Sequence, residues 1–335
     1  MNQLSNVNSA AGVKESPFHA GEQAVQSRLG VRKIAEQLGQ AMIRPFMPEQ
    51  HREFFNALSY LFVGIRAEDG FPRAEILTGD PGFITSPDNQ RLHISIPIGH
   101  QILATQQLIP GREVGLLGID LATRRRNRIN GVVTAVVDKE AGVGADKGTG
   151  IGDRLQIEIA IVESFGNCPK YIQRREISLQ PSVDFSSVEV QTDNVFNNLA
   201  KKLINNVDTF FIASQHQSKA SEDHASADIS HRGGEPGFIH IQDDKTLIFP
   251  DYSGNRHFNT LGNLSLNPGV GLLFIDFING DLLHLRGISN ILWNDSRQVD
   301  FPGAERLLEF QLKESLYIAN GLALRGKKIN KKPAR

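Results

Sequence analysis

Along the chain the apolar positions first recur at helical spacing and then switch to short, closely set runs. Val25, Leu29, Ile34, Leu38 and Met42 fall near a 3.6-residue period between Glu22 and Met42, and Pro45 and Pro48 end the segment. This predicts one amphipathic helix with those five side chains turned inward. Pro48 suits the first turn of a second helix, 49–58, with Phe54, Phe55 and Leu58 on one face. Strand-type runs follow at 60–65, 73–77, 92–96, 114–119, 129–137 and 155–162, with Asp69-Gly70 as a turn. Strands so close together, without long helices between them, favour an antiparallel barrel or sandwich over a βαβ sheet.

After Pro181 the chain becomes polar, and then the pattern restarts. A helix is predicted over 195–207 with Leu199, Leu203 and Ile204 inward, followed by strands at 209–213, 227–231, 238–240, 247–249, 271–277, 282–292 and 306–312. Particular landmarks recur in the same order. Gly79-Asp80-Pro81-Gly82-Phe83-Ile84 returns as Gly234-Glu235-Pro236-Gly237-Phe238-Ile239, and the run from Val114 to Asp120 returns as Val270 to Asp276. Arg154-Leu155 and Glu163-Ser164 reappear as Arg306-Leu307 and Glu314-Ser315. The order implies two tandem copies of one small β-rich domain. The expected division is a disordered stretch 1–18, a first copy 19–180, a linker 181–194, a second copy 195–326 and a basic tail 327–335.

Composition narrows the partners. Lys plus Arg number 36 against 37 Asp plus Glu, a net charge of −1 that points to neither nucleic acid nor an anionic membrane. The single Cys168 leaves no disulfide framework, and the ten histidines show no ligand spacing, so no metal site is expected. Cys168 itself reads as a small buried filler. No apolar run approaches the roughly 20 residues that span a bilayer, and the N-terminus lacks a signal-type core, so a soluble, cytoplasmic protein is expected. Arg124, Arg125, Arg126 and Arg128 read as a solvated hairpin tip, and the glycine-rich 142–152 as a flexible loop.

The candidate chemistry sits in Pro250 to Asn259, PDYSGNRHFN. Gly254 permits close approach of the backbone, Ser253 and Asn255 offer neutral donors, and Arg256 offers a charged fork that suits a phosphate. His231 and His257 flank it. The first copy has Pro97-Ile98-Gly99-His100-Gln101 in the corresponding place, without an arginine or a Ser/Asn pair. The last strands differ in the opposite sense: Phe165 to Arg175 is rich in hydrogen-bonding groups, whereas Tyr317 to Arg325 is mostly apolar. If the copies pack about a pseudo-twofold axis, one interface site receives both polar segments and its mirror image receives neither. One working site per chain is the consequence.

These residues carry a resemblance. Asp228-Ile229-Ser230-His231-Arg232-Gly233-Gly234, then FPDYSGNRHFNTLGNL and VGLLFIDF, together with the FHAGEQAVQSRLGV opening and SFGNCPKYIQRR, resemble the FMN-binding split-barrel proteins related to pyridoxamine 5′-phosphate oxidase, in their longer, two-part form. The resemblance runs from Phe18 to Arg325. It implies a mainly β fold of two tandem, six-stranded split β-barrels with flanking helices, packed as an intrachain pseudo-dimer that binds FMN at the interface. It places Ser253, Asn255 and Arg256 at the flavin phosphate, and Ser230 and Arg232 near the phosphate and ribityl chain. It sets Asn167, Lys170 and Tyr171 against the isoalloxazine ring. It implies an oxidoreductase acting on a small molecule, with an electron donor such as NAD(P)H; a homodimer stays open. The second copy ends in ANGLALRGKK, without the arginine–histidine pair that grips the substrate phosphate in true pyridoxamine phosphate oxidases, which argues against that activity. No catalytic acid or base is assigned. The alternatives are a non-catalytic flavin- or haem-binding protein and a scaffold with decayed sites.

Overall fold

Alternation along the central strands sets the architecture. In the computed structural model, which describes residues 15–66, 71–97, 107–139, 154–180, 188–216 and 227–329, strand β1 (Tyr60–Ile65) sends Leu61, Val63 and Ile65 into one core and Tyr60 and Phe62 into another. Strand β10 (Thr209–Gln215) does the same: Phe210 and Ile212 face a third core, while Phe211 and Ala213 join Tyr60 and Phe62. A strand buried on both faces must read as a continuous apolar run. That is why these segments show no polar alternation.

The first sheet has the order β2-β1-β5-β6-β7-β4-β3, built from β1, β2 (Arg73–Thr78), β3 (Ile84–Thr85), β4 (Arg91–Pro97), β5 (Glu113–Asp120), β6 (Arg125–Lys139) and β7 (Arg154–Gly166). The second has the order β11-β10-β14-β15-β16-β13-β12, from β10, β11 (Ala227–Gly233), β12 (His240–Ile241), β13 (Thr246–Tyr252), β14 (Gly269–Ile275), β15 (Leu282–Leu292) and β16 (Ala304–Ile318). The two orders match strand for strand, and every strand pairing is antiparallel. The resemblance implied six strands in each unit; here the two-residue β3 and β12 extend each sheet to seven along this path. Strand β9 (Val190–Asp193) joins the edge of the second sheet through β16.

The two sheets meet face to face. Phe62 and Phe211 stack with ring centroids 3.6 Å apart, at corresponding places in β1 and β10. A Cβ on Gly115 of β5 would stand 2.7 Å from Asp228 Cα of β11, and one on Gly271 of β14 would stand 3.0 Å from Arg73 Cα of β2. Only glycine admits a backbone that close. A two-stranded ribbon of β8 (Arg175–Leu179) and β17 (Leu324–Lys328) closes one side, pinned by the buried ion pair of Arg175 with Asp208.

Several expectations change. The single helix over Glu22–Met42 is two, Ala20–Arg28 and Arg32–Met42, because Gly30 at φ +69° reverses the chain and the Val31 N–H donates back to the Gln26 carbonyl. The second of these turns the other face inward. Ala35 and Gly39 pack against the rest of the protein, with the Phe18 ring filling the space beside Gly39, so Ile34, Leu38 and Met42 stay exposed. Residues 15–18 of the expected disordered start are ordered, since Phe18 is buried and Ser16 donates to Glu36. The end of the linker is β9, and Lys327 and Lys328 of the basic tail belong to β17. The expected strand 238–240 shortens to β12, with Phe238 in the core. Asp69-Gly70, residues 98–101 opposite the polar turn, the loop 142–152 and the N-terminal residues 1–14 lie outside the described residues.

Candidate functional site

The polar turn closes a cleft at the junction of the two sheets. Strand β13 delivers Pro250, Asp251 and Tyr252, and the chain then turns through Arg256 and Phe258, both left-handed at φ 64°, into the helix Asn259–Leu266. The Asn255 Oδ1 accepts from the His257 N–H at 3.0 Å, which holds the turn in shape. The helix has no side-chain cap at its N-terminus, and Asn259, Thr260 and Leu261 of its first turn line the cleft. Open N–H groups and the positive end of a helix make an anion-binding end.

The first half supplies the facing wall. Residues Asn167, Lys170 and Tyr171 line the same cleft as Ser230, Arg232, Asn255 and Arg256. The Asn255 Nδ2 donates to Asn167 Oδ1 at 3.0 Å, and the Tyr171 hydroxyl donates to the Ser253 carbonyl at 3.2 Å. Tyr171 also stacks on Tyr252 with centroids 5.1 Å apart. Gly233 is required at this seam, because a Cβ there would run into the Tyr171 carbonyl oxygen. Seven of the eight residues singled out from sequence therefore line one cleft; Ser253 enters through its carbonyl. Arg256 is exposed and forms no ion pair among the described residues, whereas Arg232 is held by Asp251, which also takes Arg306 at 2.6 Å.

Two lining residues were misread. Arg126 and Arg128 were assigned to a solvated hairpin tip, but only Arg124 lies in the turn, at φ 68°; β6 begins at Arg125 and carries the other two inward. Arg128 is 3% exposed. Its Nη1 lies 2.7 Å from Asp228 Oδ1 and donates to Asn259 Oδ1 at 2.9 Å, while Nη2 donates to Ser230 Oγ at 2.7 Å. Burial and the neighbouring Arg128 lower the Arg126 guanidinium to about 10. The signal was present as spacing: Arg126 and Arg128 stand two apart, on one face of a strand.

The cleft is open to solvent and has a cavity volume of about 110 Å³, smaller than the range of about 300–1,000 Å³ usual for enclosed small-molecule sites. Among the described residues the Nε atoms of Arg126, Arg128 and Arg232 are buried without a hydrogen-bond partner, and a Cβ on Gly254 would meet nothing within 4 Å. Orphaned cationic donors and open space together fit an anionic ligand. His257 is a neutral core residue: burial lowers it to about 4, and it sits between Phe18 and Phe165. Burial likewise holds His231 well below its ordinary value. Cys168 is half-buried rather than fully buried. No group of three or more potential metal ligands occurs among the described residues. No helix among them is long and apolar enough to cross a membrane.

No protein-family model and no curated protein matches the chain. Solved structures similar to parts of it include HupZ from Group A Streptococcus, at 16% identity and a TM-score of 0.27, covering 35% of this chain and 88% of that one. A putative pyridoxamine 5′-phosphate oxidase from Lactobacillus delbrueckii is 18% identical over 36% of this chain and 95% of its own, with a TM-score of 0.27. An FAD-binding protein from Mesorhizobium loti is 12% identical over 39% of this chain and 98% of its own, also with a TM-score of 0.27.

Proposed function

We propose that the chain is an FMN-binding flavoprotein, built as an intrachain pseudo-dimer of two split barrels, with one flavin site per molecule. The observation that carries this is the convergence of Arg126, Arg128, Asn167, Lys170 and Tyr171 from the first half with Ser230, Arg232, Asn255 and Arg256 from the second. The one-site reading is supported by the corresponding position across the junction. There Leu282 stands where Arg126 does, each opposite an isoleucine of the neighbouring strand, and His284 beside Glu75 stands where Arg128 binds Ser230. An anion would meet leucine there in place of a guanidinium.

The phosphate of FMN suits Arg256, Asn255 and the first N–H groups of helix Asn259–Leu266, with Ser230 and Arg232 beside them. Arg126 and Arg128 add positive charge along the wall, and Asn167, Lys170 and Tyr171 close the cleft from the other half. A bound flavin supplies the capacity for electron or hydride transfer to a small molecule. The protein's part is to neutralise, orient and shield. Burial and nearby Glu305 raise the Tyr171 hydroxyl above its ordinary value, so it stays a donor to Ser253 at neutral pH and helps hold the turn against the first half.

The test is reconstitution with FMN, read by visible absorbance and by flavin released on denaturation. About one FMN per chain is expected, and Arg256→Ala weakens binding by about tenfold to a hundredfold, the worth of a charged hydrogen bond. A protein that takes up no FMN overturns the reading, and two equivalents per chain overturn the single site. Reduction of the bound flavin by NADH or NADPH, with reoxidation by an added acceptor, separates an oxidoreductase from a binding protein.

A further inference from the structure

Behind the cleft wall lies a group of carboxyls that anion binding alone does not use. Arg128 is surrounded by Asp228 from β11, Glu163 from β7 and, through Asn259, Glu22 from the helix Ala20–Arg28. The Asn259 Nδ2 donates to Glu22, and the Asn130 Nδ2 donates to Glu163 Oε2 at 3.1 Å. Ser230 Oγ donates to Asp228 Oδ2 at 3.2 Å and receives Thr260 Oγ1 at 2.9 Å. Ser230, Asn259 and Thr260 all line the cleft. One hydrogen-bonded layer therefore separates Asp228 and Glu22 from the space an anion would fill, and Glu163 lies behind Arg128 on Asn130, which is not part of the cleft wall.

Charge counting decides their state. Three ionised carboxylates about Arg128 would exceed the positive charge beside them, since Arg232 is itself engaged by Asp251, and this crowding favours protons on the group. The other charged or titratable neighbours are His19, 3.6 Å from Glu22 and stacked on His216, Arg232, which acts on Asp228 from the cleft side, and Arg126 and His257, which both face the Arg128 charge. Burial and Glu163 raise Glu22 well above its ordinary value; burial raises Glu163 to about 7 and raises Asp228.

We propose that anion binding in the cleft is linked to proton uptake by the carboxyl group set Glu22, Glu163 and Asp228 behind Arg128. This rests on the cleft being an anion site. An anion entering beside Arg128 competes for its positive charge and adds negative potential at the carboxyls, so their proton affinity rises. Conversely, as pH climbs through their titration range the carboxyls ionise and the anion is held less tightly. Glu22 reaches the set only because the N-terminal helix is docked, so the linkage also makes that helix part of the site.

The test is calorimetric titration of the full chain with FMN at pH 7 in non-phosphate buffers of different ionisation enthalpy. A group titrating near 7 is half protonated there, so an uptake approaching about 0.5 proton per FMN is expected beyond the ligand's own contribution. Glu163→Gln removes most of that difference while keeping an acceptor for Asn130, and Glu22→Gln reduces it while keeping an acceptor for Asn259. Equal proton counts in the wild type and both variants, with FMN still bound, overturn the proposal. If FMN does not bind, the flavin reading fails, and the linkage is read with inorganic sulfate, which carries no proton near pH 7. Sulfate protection against thermal unfolding that weakens from pH 6 to 8 in the wild type and flattens in Glu163→Gln supports the linkage. Protection that is independent of pH, or none, overturns it.

Discussion

Asp208 gathers two cations where the β8–β17 ribbon meets the second half: Arg175, itself buried, and Lys328 at 2.7 Å. Burial by itself would raise its carboxyl, but Arg175 and Lys328 outweigh that and hold it below the ordinary range. Its contribution to stability is therefore present above about pH 4 and is lost as pH falls through the lowered value. Asp208→Asn leaves Arg175 buried without its counter-charge. A loss of about 3–5 kcal/mol in urea unfolding at pH 7 is expected, narrowing relative to the wild type in acid. At this scale the sequence was legible where a residue sits in a turn and opaque where its partner is distant. Arg256 and Asn255 could be picked out as cleft-lining because serine, glycine, asparagine and arginine stand together in one polar turn. Arg128 could not, because Asp228, Ser230 and Asn259 lie about a hundred residues away, and a run of arginines without visible partners reads as solvated surface.

Among the elements, the crossing of helix Ala20–Arg28 over helix Asn259–Leu266 has little tolerance. A Cβ on Gly262 would stand 2.6 Å from the Glu22 backbone nitrogen, and one on Gly21 would meet the Gly262 carbonyl. Gly262→Ala forces the helices apart at the point where Glu22 reaches Asn259. A cost of about 1–3 kcal/mol by thermal or chemical unfolding is expected, together with weaker FMN binding; unchanged affinity would detach the N-terminal helix from the site. Strand positions were read well from the chain because both faces of β1, β5, β10 and β14 are packed, which forces unbroken apolar runs. Helix Arg32–Met42 was read at the right period with the wrong face. Spacing cannot tell whether large residues or the small pair Ala35 and Gly39 meet the neighbour, and here Phe18 supplies the bulk.

For the whole molecule, the two sheets share an apolar core. It draws Tyr60, Phe62, Leu117 and Ile119 from one sheet and Phe211, Ile229, Leu273 and Ile275 from the other. Neither half can leave without exposing that surface, so the two are expected to unfold as one cooperative unit. Phe62→Ala empties half of the stacked pair and is expected to cost about 3–5 kcal/mol while keeping a single transition. Two separated transitions, each followed by a probe in one half, would contradict a shared core. The ordered repeat of landmarks made the matching strand orders legible in advance; the depth of the contact between the halves was not, because it depends on Gly115 and Gly271 meeting the opposite backbone.

The pairings Arg128 with Ser230 and His284 with Glu75 occupy corresponding places on opposite sides of that contact. In an assembly of two identical chains, a substitution at such a place is made twice, and both sides must tolerate it. A single polypeptide that carries both sides escapes this: one side can be rewritten for a ligand while its counterpart is left to hold the halves together.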